Sequence, residues 1–272
     1  MIPLEDNAAD IIGKAQRGLR ISDTELAEKA RVSSQKIRAV QDGEFDELTL
    51  LRIAGVLGLA MRPLCELARG EWHPQKIDER DGVAQFNTHY HDMAVNAYLV
   101  WEPSSRVAAV FDTGADCGEM VRFAKHHNLD VQLILLTHAH SDHVADLPRL
   151  REEIGADVFT PAREPVPGAE PIEEGKQFRL GNLRIDARLT WGHSQGGMTY
   201  VVTGLARPIA IVGDSLFAGS MGGGNVSYQD ALRNNLKKVL TLPAQTMICP
   251  GHGPMTTVGE EKVHNPFFAG KL

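Results

Sequence analysis

The six-residue segment HAHSDH, which begins at His138, constrains this chain of 272 residues more than any other feature. It follows the run 131–137, which is short, continuous and rich in β-formers and is therefore predicted to be a buried strand. Imidazole and carboxylate groups on the turn that leaves a strand are suitable ligands for zinc, iron or manganese. Asp142 and His143 are adjacent, so their side chains diverge, and one ion could hardly use all four groups. The economical interpretation is two neighbouring ions, one bound by His138 and His140 and the other by Asp142 and His143.

Three further residues of ligand type follow predicted strands in the second half of the chain. His193 comes after the strand predicted to end at 189, Asp214 directly follows the strand 209–213, and His252 comes after the strand 246–249. Each is flanked by glycine, which lets the backbone turn sharply and approach a site closely. Loops at strand ends are where functional side chains usually lie. Each residue alone is as typical of an ordinary loop, but together with HAHSDH the three predict one metal centre.

The motifs HxHxDH, GH, GDxLF and PGHGP occur in this order and together resemble the metallo-β-lactamase superfamily of hydrolases, over roughly residues 84–272. The segments around the last two motifs look like its short glyoxalase-II-type branch. The resemblance implies an α/β fold, an αββα sandwich with the metals at one edge. It implies three ligands for one ion, three for the other and one bridging acid, which are His138, His140 and His193, then Asp142, His143 and His252, and finally Asp214. Asp112 would orient a ligand imidazole, the alternative being a turn-forming residue.

The chemistry that this resemblance implies is hydrolysis. Two divalent ions, zinc first and iron or manganese otherwise, would lower the pKa of a water between them from about 15.7 to about 7. The resulting hydroxide would attack the carbonyl carbon of a small-molecule thioester or related acyl compound, with Asp142 and Asp214 as catalytic carboxylates. Full-length glyoxalase II enzymes carry a further helical region that binds glutathione, which we do not find here. The loop 221–225 also lacks the arginine that the short hydrolases of the superfamily often carry there. Glutathione as the thiol carrier is therefore not implied.

Two alternatives use the same residues differently. His138, His193 and Asp214 could form the two-histidine, one-carboxylate face of a single ferrous ion, as in the persulfide dioxygenases of this superfamily. The pocket could also belong to a transcriptional regulator that senses a metabolite without consuming it. Metal content and oxygen consumption test the first alternative, and turnover tests the second.

The first part of the chain has helical periodicity from about residue 9 to 68 and predicts about five short helices. A capping box at Ser22–Glu25 opens the second helix and Gly43 closes the third. Over about residues 10–70 this region resembles the helix-turn-helix of phage-repressor-type regulators. The resemblance implies a DNA-binding face at the start of the recognition helix, formed by Ser33, Ser34, Gln35, Lys36 and Arg38. It also implies a homodimer, because one such module buries too little surface.

The charge of the helical region leaves a second interpretation open. Residues 1–75 carry ten Lys and Arg against twelve Asp and Glu, a formal charge of −2. Non-specific DNA affinity comes from neutralising phosphates, which this balance does not favour. The alternative is a bundle that has kept the helix-turn-helix fold and lost its DNA.

The change in pattern predicts a helical bundle at 1–72, a linker at 73–83 and an α/β hydrolase domain at 84–272. The α/β part alternates strands and helices. Strands are predicted at 95–101, 106–111, 131–137, 183–189, 198–203, 209–213 and 246–249, and helices at 118–127, 144–154 and 229–240. The polar cluster His89-Tyr-His91-Asp92 is expected to precede the first strand and to bind no metal.

Composition predicts a cytoplasmic protein that does not enter a membrane. The net charge of −7 argues against general nucleic-acid affinity. No apolar stretch approaches the roughly 18 residues that a membrane-spanning helix needs, and residues 1–6 do not read as a secretory signal. Cys65, Cys117 and Cys249 are isolated and odd in number, which fits a reducing compartment.

Overall fold

The computed structural model describes residues 2–77 and 82–271 of the chain, in which five helices precede two β-sheets. The helices are α1 (Ala8–Leu19), α2 (Asp23–Ala30), α3 (Ser34–Gln41), α4 (Glu47–Leu57) and α5 (Met61–Ala68). The predicted number of helices is confirmed. The predicted capping box is also present at α2, where Ser22 and Glu25 each accept from the other's backbone N–H. Gly43, at φ 93°, lies just beyond the end of α3, as predicted.

The first sheet has six strands in chain order, β1-β2-β3-β4-β5-β6. Their bounds are β1 (Val83–Tyr90), β2 (Met93–Trp101), β3 (Val107–Phe111), β4 (Asp130–Leu135), β5 (Asp157–Pro161) and β6 (Glu170–Ile172). The strand β2 is antiparallel to both β1 and β3, and β3 to β6 run parallel. The helices α6 (Gly118–His126), α7 (Ser141–Val144) and α8 (Leu147–Ile154) lie in the crossovers of the parallel half.

The second sheet has the order β12-β11-β10-β9-β8-β7, and only the pair β10 and β11 is parallel. Its strands are β7 (Gln177–Leu180), β8 (Leu183–Leu189), β9 (Met198–Thr203), β10 (Ile209–Gly213), β11 (Met247–Pro250) and β12 (Thr256–Thr257). The remaining helices are α9 (Tyr228–Asn234), which continues as a π-helical turn over Asn235–Val239, and α10 (Val258–His264).

Some boundaries differ from the predictions. The expectation that His89 precedes the first strand is wrong, because His89 lies in β1 opposite Ala94 of β2. The second half of β1 is polar and mostly half-buried, which concealed the strand in the sequence. The predicted helix 144–154 is two helices, of which α8 carries a proline in its first turn, where proline is well tolerated. The strands β5, β6, β7 and β12 and the helix α10 were not predicted.

Three apolar clusters make the layers of the fold. Between the two sheets lie large side chains such as Tyr98, Phe111 and Tyr200, all at most 2% exposed. On the outer face of the first sheet, Met120 of α6 and Leu150 of α8 pack over its strands. Helices on the outer face of the second sheet complete the αββα order.

The N-terminal helices belong to that outer layer. Ile12 of α1 and Leu64 of α5 share one buried cluster with Ala210 and Val212 of β10 and with Phe267 near the C-terminus. Backbone contacts also cross between the two parts. The helical region is therefore packed on the second sheet through a continuous core. The predicted linker includes residues 78–81, which lie outside the described residues, and the boundaries at 72 and 84 stay predictions.

Among the described residues, no helix combines the length and apolar character required to span a lipid bilayer. All three cysteines are buried.

Because the helices and the second sheet share one core, we expect a substitution in that core to destabilise the whole chain. Leu64 is 0% exposed, so Leu64→Ala lowers the free energy of unfolding of the whole chain by about 2–5 kcal/mol. Urea titrations followed by circular dichroism and by tryptophan fluorescence should show one coincident transition, shifted as a unit. Leu51→Ala, at a site 46% exposed, is the control and changes stability by less than about 0.5 kcal/mol. Separate transitions for helices and sheets, with only the first shifted, would contradict the shared core.

Candidate metal centre

The predicted ligands converge at one edge of the two sheets. The HAHSDH segment lies between the end of β4 and the start of α8, and its second half forms the short helix α7. His193 lies between β8 and β9, Asp214 directly follows β10 and His252 follows β11. Strands from both sheets therefore deliver side chains to a single place, although these residues are up to 114 positions apart in sequence.

The first group of ligand-type atoms contains three histidines and one carboxylate. The ligand atoms of His138, His140, His193 and Asp214 all lie within 4.8 Å of one another. The Nε2 atoms of His138 and His193 are each 3.1 Å from Nδ1 of His140. Oδ2 of Asp214 is 3.3 Å from Nε2 of His193. Such spacings are those of atoms that share one small cation.

The neighbours of two histidines fix which ring nitrogen carries the proton. Nδ1 of His193 lies 3.0 Å from the carbonyl oxygen of Gly223, which can only accept, so Nδ1 is the donor. Nδ1 of His138 lies 3.0 Å from the hydroxyl of Thr137, which itself donates to Asp112 and therefore accepts from the ring. In the neutral rings, the Nε2 lone pairs of His138 and His193 are therefore directed at His140.

The second group contains Asp142, His143 and His252, all buried. Oδ2 of Asp142 lies 3.4 Å from Nε2 of His143 and 3.4 Å from Nε2 of His252. Asp214 lies between the two groups, since its Oδ1 is 3.3 Å from Nε2 of His143 and its Oδ2 is 3.3 Å from Nε2 of His252. The structure therefore brings all seven predicted ligands together, and their ligand role stays a prediction.

Unpaired polar atoms test whether these residues suit metal ions. Nε2 of His143 and Oδ1 of Asp214 are buried and lie 3.3 Å apart, but no hydrogen bond joins them, and neither has another hydrogen-bond partner among the described residues. An orphaned buried polar atom costs about 1–3 kcal/mol or more. A cation bound at both atoms would remove that cost, so these residues fit a bound metal ion.

The electrostatics of the centre also favour cations. Burial raises the pKa of Asp214, but His252 and His143 lower it by a larger amount, so that the pKa lies well below its usual value. Burial lowers the pKa of His143, but Asp214 and Asp112 raise it to about 10. Burial likewise lowers the pKa of His252, but Asp214 and Asp142 raise it to about 11. The carboxylates thus hold positive charge at the positions that divalent ions would take.

Asp112 contacts His143 of the second group directly and reaches His138 of the first group through Thr137. Its Oδ1 accepts from the backbone N–H of Thr137 at 2.7 Å. Its Oδ2 accepts from the Thr137 hydroxyl at 2.7 Å and lies 2.8 Å from Nδ1 of His143. Asp112 has φ 57°, a left-handed conformation that non-glycine residues adopt rarely and that clusters at functional sites. The predicted orienting role fits this geometry, and the turn-forming alternative fits the backbone.

Glycine is required beside the centre at Gly251. A Cβ there would lie 2.1 Å from Oδ1 of Asp214 and 2.7 Å from Cε1 of His143. No side chain can occupy that space unless the two ligands move, because real Cβ atoms are never so close to other atoms. The first glycine of the PGHGP motif, Gly251, therefore lets the end of β11 approach the ligands.

Glu164, in the loop after β5, is a residue that the sequence analysis missed. Its Oε2 accepts from the N–H of Ala139 at 2.8 Å, and its Oε1 accepts from the N–H of Gly196 at 2.7 Å. One carboxylate thereby ties the HAHSDH segment to the loop that carries His193. No local signal marks this acid in the sequence, because its partners are 25 and 32 residues away.

The other candidate residues lie outside the centre. His89, His91 and Asp92 are exposed on the hairpin of β1 and β2 and belong to neither group of ligand-type atoms among the described residues. The residues predicted to face DNA are all exposed on α3 and the turn before it. Lys36 forms an ion pair at 2.7 Å with Asp46, which caps α4.

Comparisons with known proteins agree with this geometry. A model of the metallo-beta-lactamase superfamily matches residues 91–252. The hydroxyacylglutathione hydrolase of Pseudomonas entomophila (strain L48) is 30% identical over 173 residues, which are 63% of this chain and 64% of that enzyme. The probable metallo-hydrolase YqgX of Bacillus subtilis (strain 168) is 31% identical over 202 residues, 64% of this chain and 92% of that protein. The solved structure of TTHA1623 in a di-iron-bound form is 30% identical, with a TM-score of 0.56, and covers 67% of this chain and 100% of that chain.

The position of Asp112 makes a prediction about metal affinity. Asp112→Asn keeps the size of the side chain and tolerates the left-handed backbone, but it removes the charge that faces His143. We expect metal affinity to fall about 10–100-fold, as when the hydrogen-bond partner of a ligand is lost. Competition with a chromogenic chelator measures it, and Asp157→Asn, at an exposed position in β5, is the control. Equal affinities for wild type and Asp112→Asn would contradict the orienting role.

Proposed function

The chain belongs to the metallo-β-lactamase superfamily, and from this premise we propose that it hydrolyses a thioester or a related acyl compound at a centre that binds two divalent ions, with zinc as our first choice. The observation that carries the proposal is the convergence of seven ligand-type side chains in two adjacent groups with Asp214 between them. Five histidines and two carboxylates of this kind suit zinc, iron or manganese.

The reaction adds one water across the acyl–sulfur bond and gives a carboxylic acid and a thiol. Divalent ions bound in such a site lower the pKa of a coordinated water and polarise a carbonyl oxygen. His138, His140 and His193 would hold one ion, and Asp142, His143 and His252 the other. Asp142 and Asp214 would bring the catalytic negative charge to the ions. A thiolate is a good leaving group, so the thiol needs little help from a protein acid.

The chain's own residues supply orientation. The carbonyl oxygen of Gly223 and the hydroxyl of Thr137 keep the protons on the Nδ1 atoms of His193 and His138. The carbonyl oxygen of Ala94 does the same for His252, at 2.6 Å from its Nδ1. Rings held in this way present Nε2 without a rotation at the moment of binding, which is what preorganisation requires.

The substrate class rests on the named relative. The Pseudomonas hydrolase is named for hydroxyacylglutathione, but this chain spans less than two thirds of its length. We therefore propose the acyl thioester as the substrate class and leave the thiol carrier unassigned. The alternatives of a mononuclear-iron persulfide dioxygenase and of a metabolite sensor use the same residues. Oxygen uptake with a persulfide would support the first, and ligand binding without turnover the second.

A ligand substitution tests the hydrolase directly. We expect His140→Ala to reduce the rate of thiol release from an acyl thioester by at least about 100-fold, because one of three histidines in the first group is lost. Hydroxyacylglutathione and a short acyl thioester without glutathione are the two probes, and released thiol is measured with a chromogenic disulfide. The control is His126→Ala, on the exposed end of α6. Turnover of neither probe by metal-loaded wild type, or equal turnover by His140→Ala, would overturn the assignment.

We also propose, as a separate role, that α3 contacts DNA in a homodimer in the cytoplasm. The supporting observation is that Ser33, Ser34, Gln35, Lys36 and Arg38 are all exposed. Selection from random duplexes at low salt should enrich a sequence with wild type, and Arg38→Glu should abolish the enrichment by placing a negative charge against the phosphates. Lys29→Glu on α2 is the matched charge control. No enrichment with wild type would leave the helical bundle without this role.

A further inference from the structure

The N-terminal segment and α1 reach the loop that follows Asp214. Lys14 of α1 and Asp6 form an ion pair in which the side chains are only 14% and 7% exposed. Nζ of Lys14 also donates to the carbonyl oxygen of Met221 at 3.0 Å. The hydroxyl of Ser220 donates to Oδ2 of Asp6 at 2.5 Å. A buried ion pair from the helical region thus grips two consecutive residues of a loop more than 200 positions away.

That loop contacts histidines of both metal groups. The backbones of Phe217 and Ser220 bond to each other in both directions, at 3.1 and 3.0 Å. The Phe217 ring packs edge-on against His252 with 5.6 Å between ring centres, and Nζ of Lys14 lies 4.9 Å from the centre of the same ring. Two residues beyond Met221, the carbonyl oxygen of Gly223 accepts from Nδ1 of His193.

The loop has little room to shift without moving ligands. A Cβ at Gly222 would lie 1.8 Å from the carbonyl oxygen of Asp214 and 3.0 Å from Nδ1 of His193. The N-terminal segment is also close to the loop that carries His252, since a Cβ at Gly253 would lie 3.2 Å from the backbone nitrogen of Glu5. Residues 5–14 therefore lie against loops that carry Asp214 and His252.

We propose that Lys14 and Asp6 are positioning residues of the metal centre, which hold the loop 217–223 so that Gly223 and Phe217 orient His193 and His252. The helical region is then a working part of the hydrolase and not a module carried beside it. The metal readouts rest only on metal binding at the centre, and the turnover readout rests in addition on the proposed thioester hydrolysis.

The energetics give this pair a role other than stability. The free energy lost when two charges are removed from water is often larger than the gain from their attraction. A protein with an apolar pair of similar volume at such a site is therefore often as stable or more stable. Here each charge is instead used to fix a loop atom: Asp6 holds the hydroxyl of Ser220 and Lys14 holds the carbonyl of Met221. By linkage, anything that shifts α1 on the second sheet would change metal affinity, and metal binding would change the stability of α1 by the same free energy.

The test uses the full chain and two metals, zinc and cobalt(II), added alone. The double variant Asp6→Asn/Lys14→Met removes both charges but keeps an acceptor for Ser220, so that no charge is left buried and unpaired. We expect about a 10-fold loss of zinc affinity by chelator competition and a shift of the cobalt(II) visible absorption bands, which report ligand geometry. For thioester hydrolysis, we expect kcat to fall with little change in KM. Lys29→Met, exposed on α2, should match wild type in all three.

The outcomes separate this proposal from the proposed function. If the double variant has wild-type stability in urea and also wild-type zinc affinity and cobalt(II) spectrum, the positioning role is wrong. If its metal properties change while neither wild type nor variant hydrolyses a thioester, the positioning role stands and the thioesterase fails. The double variant replaces single substitutions in this test, because either single substitution would leave one charge buried and unpaired.

Discussion

The hydrogen bonds of the Asp112 carboxylate with Thr137 and His143 are the interactions on which the geometry of the centre depends most. The carboxylate holds Thr137 by both backbone and hydroxyl, and through that hydroxyl it fixes the ring of His138 in the first group. Its second oxygen also contacts His143 in the second group. One buried acid directly after β3 thus contacts His143 itself and the partner of His138, in a left-handed backbone conformation that is rare for non-glycine residues. If this acid moved, both groups would lose their geometry together.

The remaining contacts extend the same arrangement outward. Glu164 joins two ligand loops by their backbones, and Lys14 and Asp6 hold the loop after Asp214 through Met221 and Ser220. The apolar cluster beneath α1 and α5 provides the rigid support for these contacts. The centre is therefore held by parts that are distant in sequence, and the helical region is one of them. Preorganisation of this kind is what raises metal affinity and rate in an enclosed site.

Much of the site could be predicted from the sequence because its ligands carry local signals. His138, His193, Asp214 and His252 each follow a strand and lie beside glycine or other ligands, so that the sheet edge brings them together. The helices α2 and α3 were predicted for the same reason, since caps are written in a few adjacent residues. The polar hairpin strand β1 was missed because it lacks a clean alternation. The contacts of Glu164, Asp6 and Lys14 could not be predicted, because hydrogen bonds between distant segments leave no periodicity in either one.

The most direct test of the account is a crystal structure with anomalous scattering recorded at the absorption edges of zinc, iron and manganese. The account predicts two peaks per chain, one among the ring nitrogens of His138, His140 and His193 and one beside Asp142, His143 and His252. Asp214 should lie between the peaks. A single peak at full occupancy after supplementation with metal, or none, would contradict the claim that these side chains hold a pair of ions.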